Sequence, residues 1–314
     1  MKFCHNMLNE TVQLILDDKL PYTDSIIIGD NASGKSEVLR QYLKQTSRCV
    51  YFIDAVNRNF NIEKISTLPE RIEYKQSILI KRLLDENFNL KDTWSYYGTE
   101  TECIELLYGN YEKCLQELFK EFTGSGFSIY RKETQEVKYD FGEIGKISTG
   151  YQAIVRIILE LLYFQDAKIV KESERAVVVI DEIDEYLSAK NARAFYLFLK
   201  EKFPYFDFIV TTHSADIIAA ASKCNILVLQ NSGLEILDAG DFKDIDDAIS
   251  IFKKVFGKST SSSVDERYDE ILRKLLNNRI SGIWGENEKE LYDSIKETEL
   301  TKAQKVLYYE IGEW

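Results

Sequence analysis

The chain has 314 residues, 45% of them hydrophobic, with 3 prolines and 15 glycines, a composition that predicts one large or two ordinary globular domains. Its formal net charge of −12 disfavours a protein built mainly to bind nucleic acid, although a local basic patch would still permit such binding. No apolar stretch reaches the roughly 18 residues of a membrane span, no signal peptide is recognisable, and five cysteines without Cys-x-x-Cys spacing suggest reduced thiols. We therefore expect a cytoplasmic protein that does not engage a membrane.

The first predicted strand, residues 26–28, leads into a phosphate-binding motif. The motif is Gly29-Asp30-Asn31-Ala32-Ser33-Gly34-Lys35-Ser36, and apolar residues at helical spacing follow it. At such a strand-to-helix junction, backbone N–H groups and the helix N-terminus attract phosphate. Lys35 would bind the β- and γ-phosphates of a nucleotide, and Ser36 would hold Mg²⁺. A glycine-rich turn with a chance Lys-Ser pair is the structural alternative.

The remaining chain predicts an alternation of strands and helices. Strands are predicted at 49–53, 127–130, 137–141, 176–180, 206–211, 226–229 and 234–237. Residues 60–123 carry apolar residues at helical spacing and predict an inserted helical subdomain, whereas 151–164 predicts a buried helix because it is apolar on nearly all sides. Continuous apolar strands are typical of a parallel sheet that is covered on both faces.

Two adjacent carboxylates follow the predicted strand 176–180. Phosphoryl transfer depends mainly on positioning and on neutralisation of charge. Asp181 would hold the Mg²⁺ that bridges the phosphates, and Glu182 would orient or deprotonate the attacking water. A core strand that simply ends in an acidic loop is the structural alternative.

Two further segments are candidates for the same site. His213 follows the strand 206–211, and the carboxyl end of a strand in an open α/β sheet faces the ligand crevice. Ser148 and Gly150 precede the buried helix, where they would form a second anion-binding site or serve only as a helix cap.

Taken in this order, the segments resemble the ATP-binding-cassette (ABC) ATPase superfamily, and its soluble, RecF-like and "overcoming lysogenisation defect"-like branch in particular. Residues 29–36 match Walker A, 148–152 resemble the signature motif, and 177–182 match Walker B, with Glu182 as the catalytic glutamate and His213 as the switch histidine. The resemblance covers about residues 20–230. It implies an α/β fold: an ABC-ATPase-like P-loop core with a mainly parallel sheet, an inserted helical subdomain and a helical C-terminal extension.

The resemblance also implies a domain organisation. The ATPase domain would span 1–240, with the helical insertion at about 60–123 and the signature region at 147–165, and a helical region would span 241–314. The chain departs from the family pattern at Thr149, where the signature often has glycine. It also lacks a recognisable glutamine loop, for which Gln76 and Asn57-Arg58 are both candidates. The stretch between Walker A and the signature is too short for a long coiled-coil arm.

The mechanism implied by the resemblance needs two chains. A homodimer, or a higher homo-oligomer, would hold ATP at its interface, where Ser148 and Gly150 of one subunit contact the γ-phosphate bound by the other. ATP binding would close this dimer and hydrolysis would open it, so that ATP acts as a ligand that shifts a two-state equilibrium.

The leading functional hypothesis is a switch or sensor ATPase that controls a separately encoded effector, as similar small ATPases do in bacterial anti-phage defence. One alternative is a RecF-like DNA-repair ATPase. Another is an ATPase with its own metal-dependent nuclease site, formed by the acidic cluster Asp238, Asp241, Asp244, Asp246 and Asp247, whose structural alternative is a solvated acidic loop. Residues 265–314 would either pack on the ATPase core or contact the partner.

Overall fold

The structure is a computed structural model in which two compact units are distinguished, residues 1–255 and 256–314. The residues it describes are 5–53, 60, 64–69, 74–89, 94, 103–131, 137–140, 148–167, 175–230, 233–242, 248–250, 268, 271–272, 275, 279, 284–296, 300 and 302–313. The candidate Asn57-Arg58 therefore lies outside the described residues, as do Asp244, Asp246 and Asp247.

The first unit contains eight described strands, two short 3₁₀ helices and seven helices. The strands are β1 (Ser25–Gly29), β2 (Val50–Ile53), β3 (Ser128–Arg131), β4 (Val137–Asp140), β5 (Ala176–Ile180), β6 (Phe206–Thr211), β7 (Asn225–Gln230) and β8 (Gly233–Asp238). The helices are α1 (His5–Leu16), α2 (Lys35–Gln45), α3 (Ser77–Arg82), α4 (Tyr108–Thr123), α5 (Thr149–Gln165), α6 (Ala189–Lys202) and α7 (Ala215–Ala220). The 3₁₀ helices are Ile104–Leu107 and Ala239–Asp241.

Six of the strands form one sheet in the order β2-β5-β6-β1-β7-β8. All neighbours in this sheet are parallel except β8, which pairs antiparallel with β7 at one edge. Strand β6 thus lies between β1 and β5, so the strand before the phosphate loop and the strand before the paired carboxylates are not neighbours. Because these strands are parallel, their carboxyl ends meet at the same edge of the sheet.

The central strands are buried because nearly every residue in them is apolar. All five residues of β1 and of β5 are buried, as are all six of β6. Helix α2 packs Val38, Leu39, Tyr42 and Leu43 into this core, and α1 covers α2 with Met7, Leu8 and Val12. Helix α1 is an element that the sequence analysis did not predict.

Helix α5 is buried on most of its surface, as its composition predicted. It extends from Thr149 to Gln165 and packs against α4 and the 3₁₀ helix Ile104–Leu107. The strands predicted at 127–130 and 137–141 are present as β3 and β4, which pair in a separate two-stranded antiparallel sheet. The predicted α/β fold with a mostly parallel sheet is therefore confirmed.

The second unit has its own apolar cluster. Its described helices are α8 (Glu286–Asp293) and α9 (Lys302–Glu313). Five buried side chains form the cluster: Leu272, Leu275, Ile295, Leu300 and Ile311. None of the helices described in either unit combines the length and apolar character needed to cross a lipid bilayer.

Candidate functional site

The phosphate-binding motif lies where the sequence predicted it, between the end of β1 and the start of α2. Gly34 is the residue before α2 and has a φ of 96°, a left-handed conformation that glycine adopts without the steric penalty of a side chain. Ala32 also lies in the left-handed region, with a φ of 62°. Backbone that alternates in this way is typical of loops whose N–H groups converge on an anion.

Lys35 is the first residue of α2 and lies against the loop that precedes it. Its Nζ donates hydrogen bonds to the carbonyl oxygens of Gly29, at 3.0 Å, and of Asp30, at 3.2 Å. The side chain is buried. Burial lowers the pKa of the Lys35 ammonium, while the negative charges of Asp181 and Glu182 act in the opposite direction. The motif lysine and the two carboxylates after β5 are thus close enough to interact electrostatically.

Asp181 is fully buried at the carboxyl end of β5 and is held by neutral donors. Thr211, the last residue of β6, donates from Oγ1 to Asp181 Oδ1 at 2.5 Å, and Asn89 donates from Nδ2 to Asp181 Oδ2 at 2.6 Å. The backbone N–H of Asp181 donates to the Ile53 carbonyl at 3.0 Å. Both carboxylate oxygens are therefore oriented. The sequence analysis assigned no role to Thr211 or Asn89.

Glu182 has a strained backbone and a perturbed carboxyl group. Its φ of 52° lies in the left-handed region, which side-chain-bearing residues rarely adopt and which is often found at functional sites. Its N–H donates to Thr211 Oγ1 at 2.6 Å, so that one hydroxyl holds both Asp181 and Glu182. Burial, a side-chain hydrogen bond with Glu185 and the charge of Asp181 raise the pKa of Glu182 to about 7. A base with a pKa near the working pH is well matched to proton transfer.

His213 follows β6 at the same edge of the sheet. Its backbone N–H donates to the Asp184 carboxylate, at 3.2 Å to Oδ2, which ties the residue to the turn that follows Glu182. Partial burial and the positive charge of Lys35 lower the pKa of His213, which favours its neutral imidazole. The structure therefore brings Lys35, Asp181, Glu182 and His213 close to one another, and their roles in binding and hydrolysing ATP stay predictions.

The two signature residues lie at the N-terminus of α5. Ser148 is exposed and caps the helix, since its Oγ accepts a hydrogen bond from the Tyr151 N–H at 3.3 Å. Gly150 is needed for close packing, because a Cβ at this position would lie 2.7 Å from the Tyr186 carbonyl oxygen. The start of α5 thus contacts the turn that follows the paired carboxylates. The predicted contact of Ser148 and Gly150 with a second subunit's nucleotide stays a prediction.

The candidate Gln76 lies at a different place. It immediately precedes α3 and lines a cavity with Lys44 and Thr46, which are at the C-terminal end of α2. The phosphate-binding motif is at the other end of that helix. Asn89, which no sequence motif had marked, lies beyond α3 and donates a hydrogen bond to Asp181.

The residues present fit ATP and Mg²⁺. Ser33 Oγ is buried without a hydrogen-bond partner among the described residues, and it lies within the loop that would surround the phosphates. The described residues contain no group of three or more His, Cys, Asp or Glu that could hold a metal by themselves.

Comparisons with known proteins returned structures but no family. No family model and no curated protein matches the chain. Among solved structures, it is similar to an SMC head bound to the C-winged helix domain of ScpA (TM-score 0.29, 17% identity, 40% of each chain). It is also similar to the SMC head domain from Thermotoga maritima (TM-score 0.30, 17% identity, 43% of this chain and 49% of that one). A third is described as a metal-chelate type ABC transporter in an inward-facing conformation (TM-score 0.39, 13% identity, 76% and 79%). The chain thus covers less than half the length of either SMC head.

Proposed function

We propose that this protein is an ABC-type ATPase that works as a nucleotide-driven dimeric switch for a separately encoded effector. The observation that carries the proposal is the convergence of three segments at one edge of the sheet. Lys35 follows β1, the Asp181–Glu182 pair follows β5, and His213 follows β6, with Thr211 joining the last two segments through its hydroxyl.

Each residue has a chemical role in this proposal. The loop N–H groups and Lys35 bind the β- and γ-phosphates, and Ser36 with Asp181 would hold Mg²⁺, which supplies positive charge to the phosphate oxygens. Glu182 holds the attacking water and accepts its proton as the water oxygen bonds to the γ-phosphorus and the bond to ADP breaks. The products are ADP and phosphate. Neutral His213 offers a hydrogen bond at the same edge.

The hydrolysis step is tested with Glu182→Gln. The amide cannot accept the proton, so we expect the rate of ATP hydrolysis to fall by about 10²-fold or more while ATP binding remains. The same variant should accumulate an ATP-bound dimer, measured by light scattering after size-exclusion chromatography. Wild-type turnover in the variant would remove Glu182 from the mechanism.

The shared interface is tested better at Ser148 than at Gly150. Any side chain at Gly150 would collide with the Tyr186 carbonyl within its own subunit, so its loss of activity would not identify an intersubunit contact. Aspartate at position 148 keeps a good helix cap but brings a negative charge to a surface that is exposed in the single chain. We expect Ser148→Asp to bind ATP yet fail to dimerise, whereas the neutral cap Ser148→Asn dimerises.

A mixing experiment completes this test. In a head-to-tail pair of Ser148→Asp and Lys35→Ala chains, one composite site carries both lesions and the other carries neither, so hydrolysis should partly return. Mixtures that stay inactive despite proven heterodimers would contradict the shared site.

Control of a separate effector is the part of the proposal that concerns the second unit. All predicted site residues lie in the first unit, whereas residues 256–314 have their own apolar cluster. We expect a partner protein to be retained by full-length Glu182→Gln with ATP but not by Lys35→Ala.

The purified chain should leave plasmid, single-stranded DNA and RNA intact in Mg²⁺ and ATP. Cleavage that survives purification would favour the self-contained nuclease, and strong stimulation of hydrolysis by DNA would favour the RecF-like alternative.

A further inference from the structure

Asn89 contacts Asp181 but has no role in the proposed hydrolysis of ATP. Its side-chain Nδ2 donates to Asp181 Oδ2 at 2.6 Å, while its own Oδ1 is buried with no hydrogen-bond partner among the described residues. Leaving a buried acceptor unpaired is unfavourable, so such an atom needs an explanation. Its backbone φ of 53° is left-handed, and asparagine tolerates that conformation better than almost any other residue except glycine.

The segment that carries Asn89 is anchored along its length. At its start, Arg82 Nη1 donates to Glu160 Oε2 of α5 at 2.8 Å and also contacts the Phe52 carbonyl oxygen. In the middle, Arg40 of α2 donates to the Leu83 carbonyl at 3.3 Å. The ring of Phe88, next to Asn89, stacks on Phe52 with centroids 5.4 Å apart, and the Arg40 guanidinium lies 5.3 Å from the Phe88 centroid.

The first of these anchors is a buried ionic network. Arg82, Arg156 and Glu160 are each no more than 3% exposed. Arg156 Nε donates to Glu160 Oε1 at 2.9 Å, and the Tyr51 hydroxyl donates to Glu160 Oε2 at 2.8 Å. Buried ions are tolerated only when geometry and hydrogen bonding are nearly complete, so this network leaves the segment little freedom to shift. Asn89 is therefore held against Asp181 by contacts from β2, α2 and α5.

We propose that Asn89 is a positioning residue of the metal site, an inference that rests on the proposed ATPase function. Its amide nitrogen fixes the orientation of the Asp181 carboxylate from one side, as the Thr211 hydroxyl does from the other. Its amide oxygen is a hard, uncharged acceptor, suited to accept a hydrogen bond from a water molecule of the Mg²⁺ shell. Residues that orient a metal ligand in this way commonly change metal affinity by 10–100-fold when they are removed.

The test measures metal binding directly, with Mn²⁺ as the probe, by electron paramagnetic resonance on full-length protein saturated with ATP. Asn89→Ala removes the amide, and Asn89→Gly removes it without placing a Cβ at a left-handed position. Asn87→Ala is the matched control. It also removes a side-chain amide from this segment, but the Asn87 Nδ2 donates to the Lys81 carbonyl, at 2.9 Å, and not to Asp181. Thermal melting and ATP binding without metal are recorded for all variants.

We expect both Asn89 variants to bind Mn²⁺ about 10–100-fold more weakly than the wild type, with metal-free ATP binding unchanged and Asn87→Ala unaffected. Wild-type Mn²⁺ affinity in Asn89→Gly would overturn the proposal, and so would an equal loss in Asn87→Ala. If the wild-type chain bound no ATP at all, the proposed function would fail and Asn89 would lose its role with it. Wild-type ATP binding with unchanged metal affinity in the Asn89 variants would overturn the Asn89 proposal alone.

Discussion

Buried carboxylates are held by different kinds of group at the two ends of the parallel strands, which we call the amino edge and the carboxyl edge of the sheet. At the amino edge, Asp207 of β6 is fully buried between Arg48 and Arg175, which precede β2 and β5, and Arg175 Nη2 lies 2.7 Å from Asp207 Oδ1. At the carboxyl edge, Asp181 is equally buried, yet the hydrogen bonds to its side chain come from a threonine hydroxyl and an asparagine amide. Two arginines therefore pair with the buried carboxylate at the first edge, whereas at the second edge Asp181 accepts hydrogen bonds from neutral groups and has Lys35 nearby.

The carboxyl edge holds further acidic residues beside Asp181. Four carboxylates occur between residues 181 and 185, and their mutual repulsion contributes to the raised pKa of Glu182. A concentration of carboxylates beside the phosphate-binding loop would suit the nucleotide-bound cation of the proposed function.

The largest expected effect is on ATP binding in Lys35→Ala. Removing a buried cation that faces phosphate should weaken ATP binding by about 10²-fold or more, since losing one partner of a buried charge pair costs about 2–5 kcal/mol. Lys44→Ala is the control, because Lys44 is an exposed lysine near the other end of the same helix. Isothermal titration calorimetry would measure both, and unchanged affinity in Lys35→Ala would exclude a phosphate-binding role for the loop.

The comparison of the edges is tested directly by two isosteric substitutions. Asp207→Asn leaves Arg48 and Arg175 without their carboxylate, and because these side chains are 30% and 49% exposed we expect a loss of only about 2 kcal/mol in the free energy of unfolding. Asp181→Asn removes a charge that is held by hydrogen bonds from Thr211 and Asn89, and it should change stability by less than about 1 kcal/mol.

Urea is the suitable denaturant for this pair, because guanidinium would screen the ion pairs. Equal losses of stability in Asp207→Asn and Asp181→Asn would show that the two edges do not differ in the way proposed. A larger loss in Asp181→Asn would make its carboxylate a structural group.

Much of this site could be predicted from the sequence because its motifs are local. The loop at 29–36 and the pair Asp181–Glu182 each follow an apolar strand, and strand ends converge in a parallel sheet. The position of β6 between β1 and β5, which lets Thr211 bind both carboxylate residues, depends on long-range strand pairing. Asn89 was missed for the same reason: its contact with Asp181 joins positions far apart in the chain.

The smallest expected effect is a pH-dependent change in stability from Glu182. Its pKa of about 7 in the folded chain exceeds the ordinary glutamate value of 4.5, so folding favours the protonated carboxyl group. The stability that this provides is complete below about pH 4.5 and is lost as the pH rises through 7.

Glu182→Gln keeps a neutral side chain at every pH. In nucleotide-free, metal-free protein, its melting temperature should match that of the wild type near pH 5 and exceed it by roughly 1–3 °C at pH 8. Differential scanning fluorimetry would measure the difference, with Glu201→Gln, an exposed position on α6, as the control. A melting-temperature difference that is the same at pH 5 and pH 8 would show that Glu182 does not titrate in this range, and the repulsion at the carboxyl edge would then be weaker than its geometry indicates.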